Sequence, residues 1–264
     1  MDFTLTDEQQ ELKAAARAWL AERFPLGRDW ENQDDRWSEL EELGWTDVAE
    51  AGLGFVEEAL LMEEMGYVCY PGAYLAHVSA ADGSGELFAL GLIYDGSGDR
   101  PTVDPSRPIR GVEGGWTGRE SLRGRVACAA EALGVAQRAL DLGVEHAKTR
   151  EQFGKAIGTY QAVSHPLAQT YTDVELARSL VYWAAWCVAE NDGQAELAAA
   201  AAKAFATEAA VAACERSIQI HGGTGFTWEH PLHRFYKRAI WLEGFGARPS
   251  ALRLEIASAL LGTP

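Results

Sequence analysis

Two short loops hold the residues whose types and spacing best suit chemistry. One reads Thr149-Arg150-Glu151-Gln152-Phe153-Gly154 and the other Ile218-Gln219-Ile220-His221-Gly222-Gly223-Thr224-Gly225-Phe226. An Arg just past a helix end presents a planar fork of donors that matches a phosphate, and glycines let backbone N–H groups approach a ligand closely. Together the loops suit a phosphate-bearing cofactor. Taken singly, Gly154 and the Gly222 and Gly223 pair also read as helix stops after apolar helical patterns.

Long helices must position these loops. Leu133, Ala136, Ala139, Leu140 and Val144 trace one helical face leading to Arg150, within a helical signal that starts near Arg119. Val163, Leu167, Val174, Ala177, Val181 and Val188 trace the next, until Asn191-Asp192-Gly193 breaks it. Leu197, Ala201, Ala204, Phe205, Val211 and Ile218 trace a third, and shorter helices over 231–242 and 250–261 close a bundle. The Ala-rich face 198–202 suits a subunit interface as well as a core.

The opening block is helical too. Thr6 is a good N-cap for a helix over 7–22, Trp37, Leu40 and Leu43 mark a short helix stopped by Gly44, and Phe55 to Met65 mark another ending near Gly66. Between 80 and 118 the pattern changes to Gly and Pro punctuation, with strands predicted only over 87–94 and 109–112. This divides the chain into an N-terminal helical unit (1–80), a short middle segment (81–118) and a C-terminal bundle (119–264).

Composition bounds the partners. A chain of 264 residues with 47% hydrophobic content can bury a substantial core. A formal net charge of −16 argues against nucleic acid and anionic membrane surfaces as partners. The four cysteines, Cys69, Cys128, Cys187 and Cys214, show no metal-ligand spacing and read as reduced core thiols of a cytoplasmic protein. The opening residues lack the pattern of a signal peptide, and no apolar run is expected to span a bilayer.

Arg-x-x-Phe-Gly with Gln161 downstream, followed by Gln-x-x-Gly-Gly-x-Gly-Phe, resembles the C-terminal helical domain of the acyl-CoA dehydrogenase family. The resemblance runs from about Leu122 to the end, and residues 2–75 look like that family's opening helices. It implies a mainly α fold, with family-type N-terminal helices, a C-terminal four-helix bundle and a middle β-domain largely deleted. Asp104-Pro105-Ser106-Arg107 looks like the tail of that lost domain. It further implies that Arg150, Gln152, Phe153, Gln161, Gln219, Gly222 and Gly223 bind the pyrophosphate and adenosine end of an FAD held mainly by a neighbouring subunit. The contacts that would hold the flavin ring belong to the missing β-domain.

The implied reaction is α,β-dehydrogenation of an acyl-CoA thioester, in which a carboxylate takes the α-proton while hydride leaves to the flavin. Laying Phe226 to Pro231, Arg234 and Ala239 on the family pattern without gaps puts the usual base position at Gly246. Glu243 falls three residues early, about 4.5 Å of helical rise. The alternative base position, counted back from Ala136-Gln137-Arg138, is Gly124, and Arg125 falls on an Arg common in the family. Glu131 remains as a further carboxylate on that helix, with a buried Glu–Arg pair as its plainer reading.

His165, His221, His230 and His233 invite a metal reading, and His230 and His233 share a helical face, but no third ligand follows and no metal is expected. The resemblance thus implies a base-lacking subunit of a heteromeric, two-gene acyl-CoA dehydrogenase, paired with a homologous full-length subunit in an α2β2 assembly and acting on a bulky or steroid-derived acyl group. Two other readings stay open: a self-sufficient homo-oligomeric dehydrogenase using Glu243, and a flavin-free helical scaffold.

Overall fold

The computed structural model describes residues 4–27, 33–48, 52–80, 93–95, 99–107, 109–112 and 121–262. Helix α1 (Asp7–Arg23) starts at Thr6, whose hydroxyl accepts from the Gln9 N–H at 3.2 Å while the Gln9 side chain returns to the Thr6 N–H at 3.1 Å. Helix α2 (Trp37–Glu42) ends before Gly44, which takes a φ of +71°. Helix α3 (Phe55–Val68) passes through Gly66 rather than stopping there, and Cys69, with φ of 59°, forms the left-handed cap. A seven-residue helix α4 (Tyr74–Ala80), absent from the sequence reading, follows.

The middle segment folds into a small sheet. Central β3 (Ile109–Val112) pairs parallel with β1 (Ile93–Asp95) and antiparallel with β2 (Asp99–Arg100). Residues 87–92 of the predicted first strand lie outside the described residues. The chain then enters α5 (Leu122–Thr149), a hairpin of β4 (Glu151–Gln152) and β5 (Lys155–Ala156), α6 (Gln161–Ala189), α7 (Ala195–His221), α8 (Leu232–Gly244) and α9 (Pro249–Leu261). Asn191, with φ of 51°, makes the predicted break between α6 and α7.

One apolar core runs through the N-terminal helices and the bundle, from Ala16 and Leu20 to Leu242 and Phe245. The Ala-rich stretch of α7 belongs to this chain's own interior: Ala198, Ala199 and Ala202 face the main core, and Ala200 packs with Ala204 against Leu252 of α9. This burial corrects the expectation about membrane-length runs. The segment Ala195–Phe226 is long and apolar enough to match a bilayer span, yet 67% of its most apolar window is buried within the protein, as befits the central helix of a bundle. All four cysteines are buried, and none forms a disulfide.

Gly66 and Gly134 mark where α3 crosses α5. A Cβ added at Gly66 would lie 2.0 Å from the Glu131 carbonyl oxygen, and one at Gly134 would lie 1.9 Å from that of Glu63. Because the obstacle is backbone, neither contact can relax by a side-chain rotation. Gly66→Ala is expected to destabilise the fold by roughly 1–3 kcal/mol or more, the cost of overpacking, whereas Gly193→Ala meets open space. Urea unfolding of the two variants tests this, and equal midpoints would contradict so tight a crossing.

Candidate functional site

Helices α5 and α7 contain 28 and 27 residues and run in the same direction. Leu122 and Ala195 at their starts border one cleft, so near-equal lengths bring their last turns level at about 1.5 Å per residue. The return helix α6 is braced to both partners: Arg178 Nη2 donates to Gln137 Oε1 at 2.7 Å, and Arg216 Nη1 to Asp173 Oδ2 at 2.7 Å. At the level ends, His146 of α5 stacks on His221 of α7 with ring centroids 4.2 Å apart. The loops that start at Arg150 and Gly222 therefore leave the bundle side by side.

Arg150 ends α5 with its N–H donated to the His146 carbonyl at 2.8 Å and its carbonyl accepting from Ile157 N–H at 2.8 Å. Its backbone is anchored while its side chain is exposed, and among the described residues no ion pair holds the guanidinium. The β4–β5 hairpin turns through Phe153 (φ 53°) and Gly154 (φ 78°). A phenylalanine in the left-handed region carries strain of order 1–3 kcal/mol, and here the ring is 92% exposed. Gln152 is exposed on the same hairpin, its carbonyl accepting from the Tyr160 hydroxyl at 3.2 Å, and Gln161 opens α6 at the same end of the bundle.

The second loop is a tight turn over Gly222–Phe226. Gly222 has φ of 61° and ψ of −138°, which side chains rarely adopt, and a Cβ at Gly225 would meet the Ile218 carbonyl at 2.6 Å. Gly223 is under neither constraint: its φ is ordinary and the space beside it is open. Its accessible backbone is what a closely bound ligand uses. Gln219 is exposed in the last turn of α7, and Phe226 and Trp228 are 75% and 62% exposed beyond the loop.

Between the loops lies a cleft of about 330 Å³ lined by His146, Thr149, His221, Thr224 and His230 among others. The face predicted for His230 and His233 does not form. The His230 ring packs tilted against His221 with centroids 4.4 Å apart, while His233 stacks on Trp228 at 4.4 Å. The missed member is His146, whose signal was its place one helical turn before Arg150. Burial, then the neighbouring His221 and Arg150, holds the His146 imidazole below its ordinary value. Burial, then His221, His146 and His233, pushes His230 down to about 4.

The carboxylate candidates stand apart from this cleft. Gly124 is buried at the α4–α5 contact, where an added Cβ would lie 2.9 Å from Ser79 Oγ. Gly246, with φ of 57°, is exposed in the α8–α9 connection, which the buried Lys203 ammonium holds by donating to the Phe245 carbonyl at 2.6 Å. Glu243 is half-buried near the end of α8, its carboxyl raised by burial and by Glu208 and Glu215 of α7. Glu131 is sealed in the interior, where its Oε1 accepts from Arg107 Nη2 at 2.8 Å and from Arg238. It is the buried Glu–Arg arrangement of its plainer reading. Arg125 is engaged by Glu255 of α9 through contacts of 2.7 and 3.3 Å.

The chain belongs to the acyl-CoA dehydrogenase family. The family's C-terminal domain matches residues 119–257 and its N-terminal domain residues 6–89. Among curated relatives, the chain is 41% identical to the probable acyl-CoA dehydrogenase YngJ of Bacillus subtilis (strain 168) over 138 residues, 52% of this chain and 36% of YngJ. The stretches matched cover only 17–45% of the relatives' own length, as with FadE34 and FadE27 of Mycobacterium tuberculosis. The fold matches the ChsE4-ChsE5 complex of M. tuberculosis with a TM-score of 0.77 at 21% identity, covering 100% of both chains. It also matches the Tcur3481-Tcur3483 steroid ACAD with a TM-score of 0.78 at 24% identity, covering 98% and 99%. At these identities the structural likeness establishes the fold alone.

The depressed histidines predict a pH dependence. Both imidazoles have an ordinary value of 6.5 and titrate lower in the fold, so the unfolded chain binds more protons as pH falls. Their contribution to stability is full above 6.5 and declines toward about 4, the value for His230. His230→Gln should thus lose less stability than the parent on acidification. Urea midpoints of both proteins at pH 7.5 and pH 5 check this, and a constant difference between them would exclude linkage to His230.

Proposed function

We propose that this chain is the base-lacking subunit of a heteromeric acyl-CoA dehydrogenase and completes the FAD site of a full-length partner subunit. The observation that carries the reading is the exposed Arg150 guanidinium, without an ion pair among the described residues, beside the open backbone of Gly223. As the C-cap of a 28-residue helix, Arg150 also complements the helix dipole, which leaves its guanidinium donors available to a ligand. Gln152, Phe153, Gln161, Gln219, Gly222 and Gly223 surround that end and fit the adenosine and pyrophosphate half of the cofactor. Bound FAD would supply the hydride acceptor for oxidising the acyl chain.

The rim supports a partner on this face. Phe153, Phe226 and Trp228 are 92%, 75% and 62% exposed around the site, apolar surface that a neighbouring subunit would cover. The described part of the middle segment is a sheet of three short strands, and in this reading the partner encloses the flavin ring. Gly124 and Gly246 leave both usual base positions without a carboxylate, so in this reading the partner removes the α-proton. A bulky, steroid-derived acyl group is the proposed substrate class, by analogy with the Tcur3481-Tcur3483 steroid ACAD.

The chain alone is expected to retain little flavin, and co-expression with a full-length partner to yield a yellow complex. In that complex Arg150→Ala removes charge-assisted contacts of roughly 1.5–3 kcal/mol and should weaken FAD retention by about one to two orders of magnitude. Arg150→Lys should recover part of it. Fluorescence titration of the flavin measures both, and unchanged affinity in the Ala variant would reduce Arg150 to a helix-end residue.

Glu243 provides the test against the self-sufficient reading. Its raised carboxyl is a property general bases share, but Glu208 and Glu215 of α7 suffice to produce it. Glu243→Gln in the assembled enzyme is expected to leave turnover within a few-fold of the parent. Loss of the ~10²–10⁴-fold typical of a missing base, with flavin content intact, would assign the chemistry to this chain.

A further inference from the structure

The stack of His146, His221 and His230 lies in the cleft between the two loops, yet neither the fold nor the proposed cofactor contacts require three adjoining imidazoles there. Hydrogen bonds fix the tautomers of two of them. His221 Nδ1 lies 2.8 Å from the Ser217 carbonyl, so it carries the proton, and the Nε2 of its neutral ring is an acceptor. His230 Nδ1 accepts from the Leu232 N–H at 3.3 Å, so its neutral ring carries the proton on Nε2. The neutral rings therefore offer one acceptor, His221 Nε2, and one donor, His230 Nε2–H, and a proton added to His230 would enter at Nδ1 and displace the Leu232 N–H, which leaves His146 as the ring free to take one up.

We propose that this cleft is a proton-coupled anion subsite: when a diphosphate settles on Arg150, the neighbouring His146 takes up a proton, so that the site grips its anion more tightly as pH falls. The inference rests on the cofactor reading above and adds a property to it. Reciprocity supplies the argument. In the ligand-free chain the Arg150 guanidinium is one of the groups that oppose a charge on His146. A diphosphate on Arg150 cancels that field and adds an attractive one, so binding must raise the imidazole's proton affinity. By the same linkage, protonation must raise the affinity for the diphosphate.

The surrounding charges are of both signs, with cations and imidazoles the groups that act on His146 and His230. The groups acting on the stack are Arg150 from α5, His221 from α7, and His230 and His233 from the segment after the Gly loop. Glu145 is the carboxylate among the residues lining the cleft. Lys148 and Glu229, of the same two segments, are exposed. Thr149 and Thr224 add hydroxyls to the lining that serve an anion or a neutral ring equally.

The test uses the complex of this chain with its partner, stripped of flavin and titrated with FAD by calorimetry at pH 7 in two buffers of different ionisation enthalpy. The expected result is net proton uptake, with affinity rising roughly threefold to tenfold between pH 8 and pH 6, as uptake of a single proton allows. His146→Phe, which keeps a flat ring but cannot titrate, should lose much of the pH dependence, its ratio of FAD affinities between pH 6 and pH 8 falling toward one. Heats independent of buffer, or affinity that falls on acidification, would overturn the proposal, and this measurement on the parent decides even if the variant misfolds. Arg150→Ala separates the two readings. If it weakens FAD binding while no proton is taken up, the subsite alone is wrong; if it leaves binding unchanged, the cofactor reading fails with it.

Discussion

The registration of α5 against α7 is the constraint on which the candidate site depends. Two parallel helices that start level and differ by one residue in length must end level, and everything placed after them inherits that register. Small residues keep the pair close: Ala129, Ala132, Ala136 and Ala139 on α5, and Ala199, Ala202, Ala206 and Ala210 on α7, are fully buried. Gly143 approaches α7 closely enough that a Cβ there would lie 3.0 Å from Ser217 Oγ. Had either helix been longer by half a turn, His146 and His221 would not stack, and Arg150 and Gly223 would address different points in space.

A second constraint secures the other end of the chain's logic. The Arg238 guanidinium, fully buried on α8, donates to Asp104, to Glu131 of α5, to Ser106 Oγ at 2.8 Å and to the Tyr70 carbonyl at 3.0 Å. Burial opposes the Asp104 charge, but Arg238 and Arg107 hold its carboxyl below the usual range. Asp104 and Arg107 are the tetrapeptide ends that resemble the tail of a missing domain, and here they act as a clasp. They tie the described part of the middle segment to α5 and α8. Removing one partner from such a buried set costs far more than the set contributes net.

Much of this was legible because it is local. Thr6, Asn191 and the apolar faces of α5 to α9 announce themselves through capping, turn chemistry and period, and the Arg150 and Gly222 loops through residue type. What was hidden depends on tertiary neighbours. Gly66 looked like a helix stop because a glycine that ends a helix and one that admits a crossing helix are the same letter, and only the Glu131 backbone distinguishes them. The helix over 74–80 is too short for a periodic signal. The stack of His146 on His221 joins residues 75 positions apart, which only the equal lengths of two helices bring together.

The distribution of satisfied and unsatisfied charge then separates structure from function in this chain. Glu63, fully buried on α3, is met by Lys13, Arg178 and the Tyr182 hydroxyl. Arg17 meets Glu64, Arg123 meets Glu58, and Arg125 meets Glu255. These cations stitch the N-terminal helices to one another and, with α9, to the bundle, and each is answered from within the chain. Arg150 differs in having a fixed backbone and an exposed side chain, without an ion pair among the described residues. Exposure alone would make it an ordinary surface residue, but beside it stand a strained, exposed Phe153, a Gly223 that the fold does not require, and imidazoles kept neutral by their surroundings. Strain, open backbone and depressed imidazoles thus gather at one end of a well-packed bundle, and that convergence is the ground for the proposal of an anion site there.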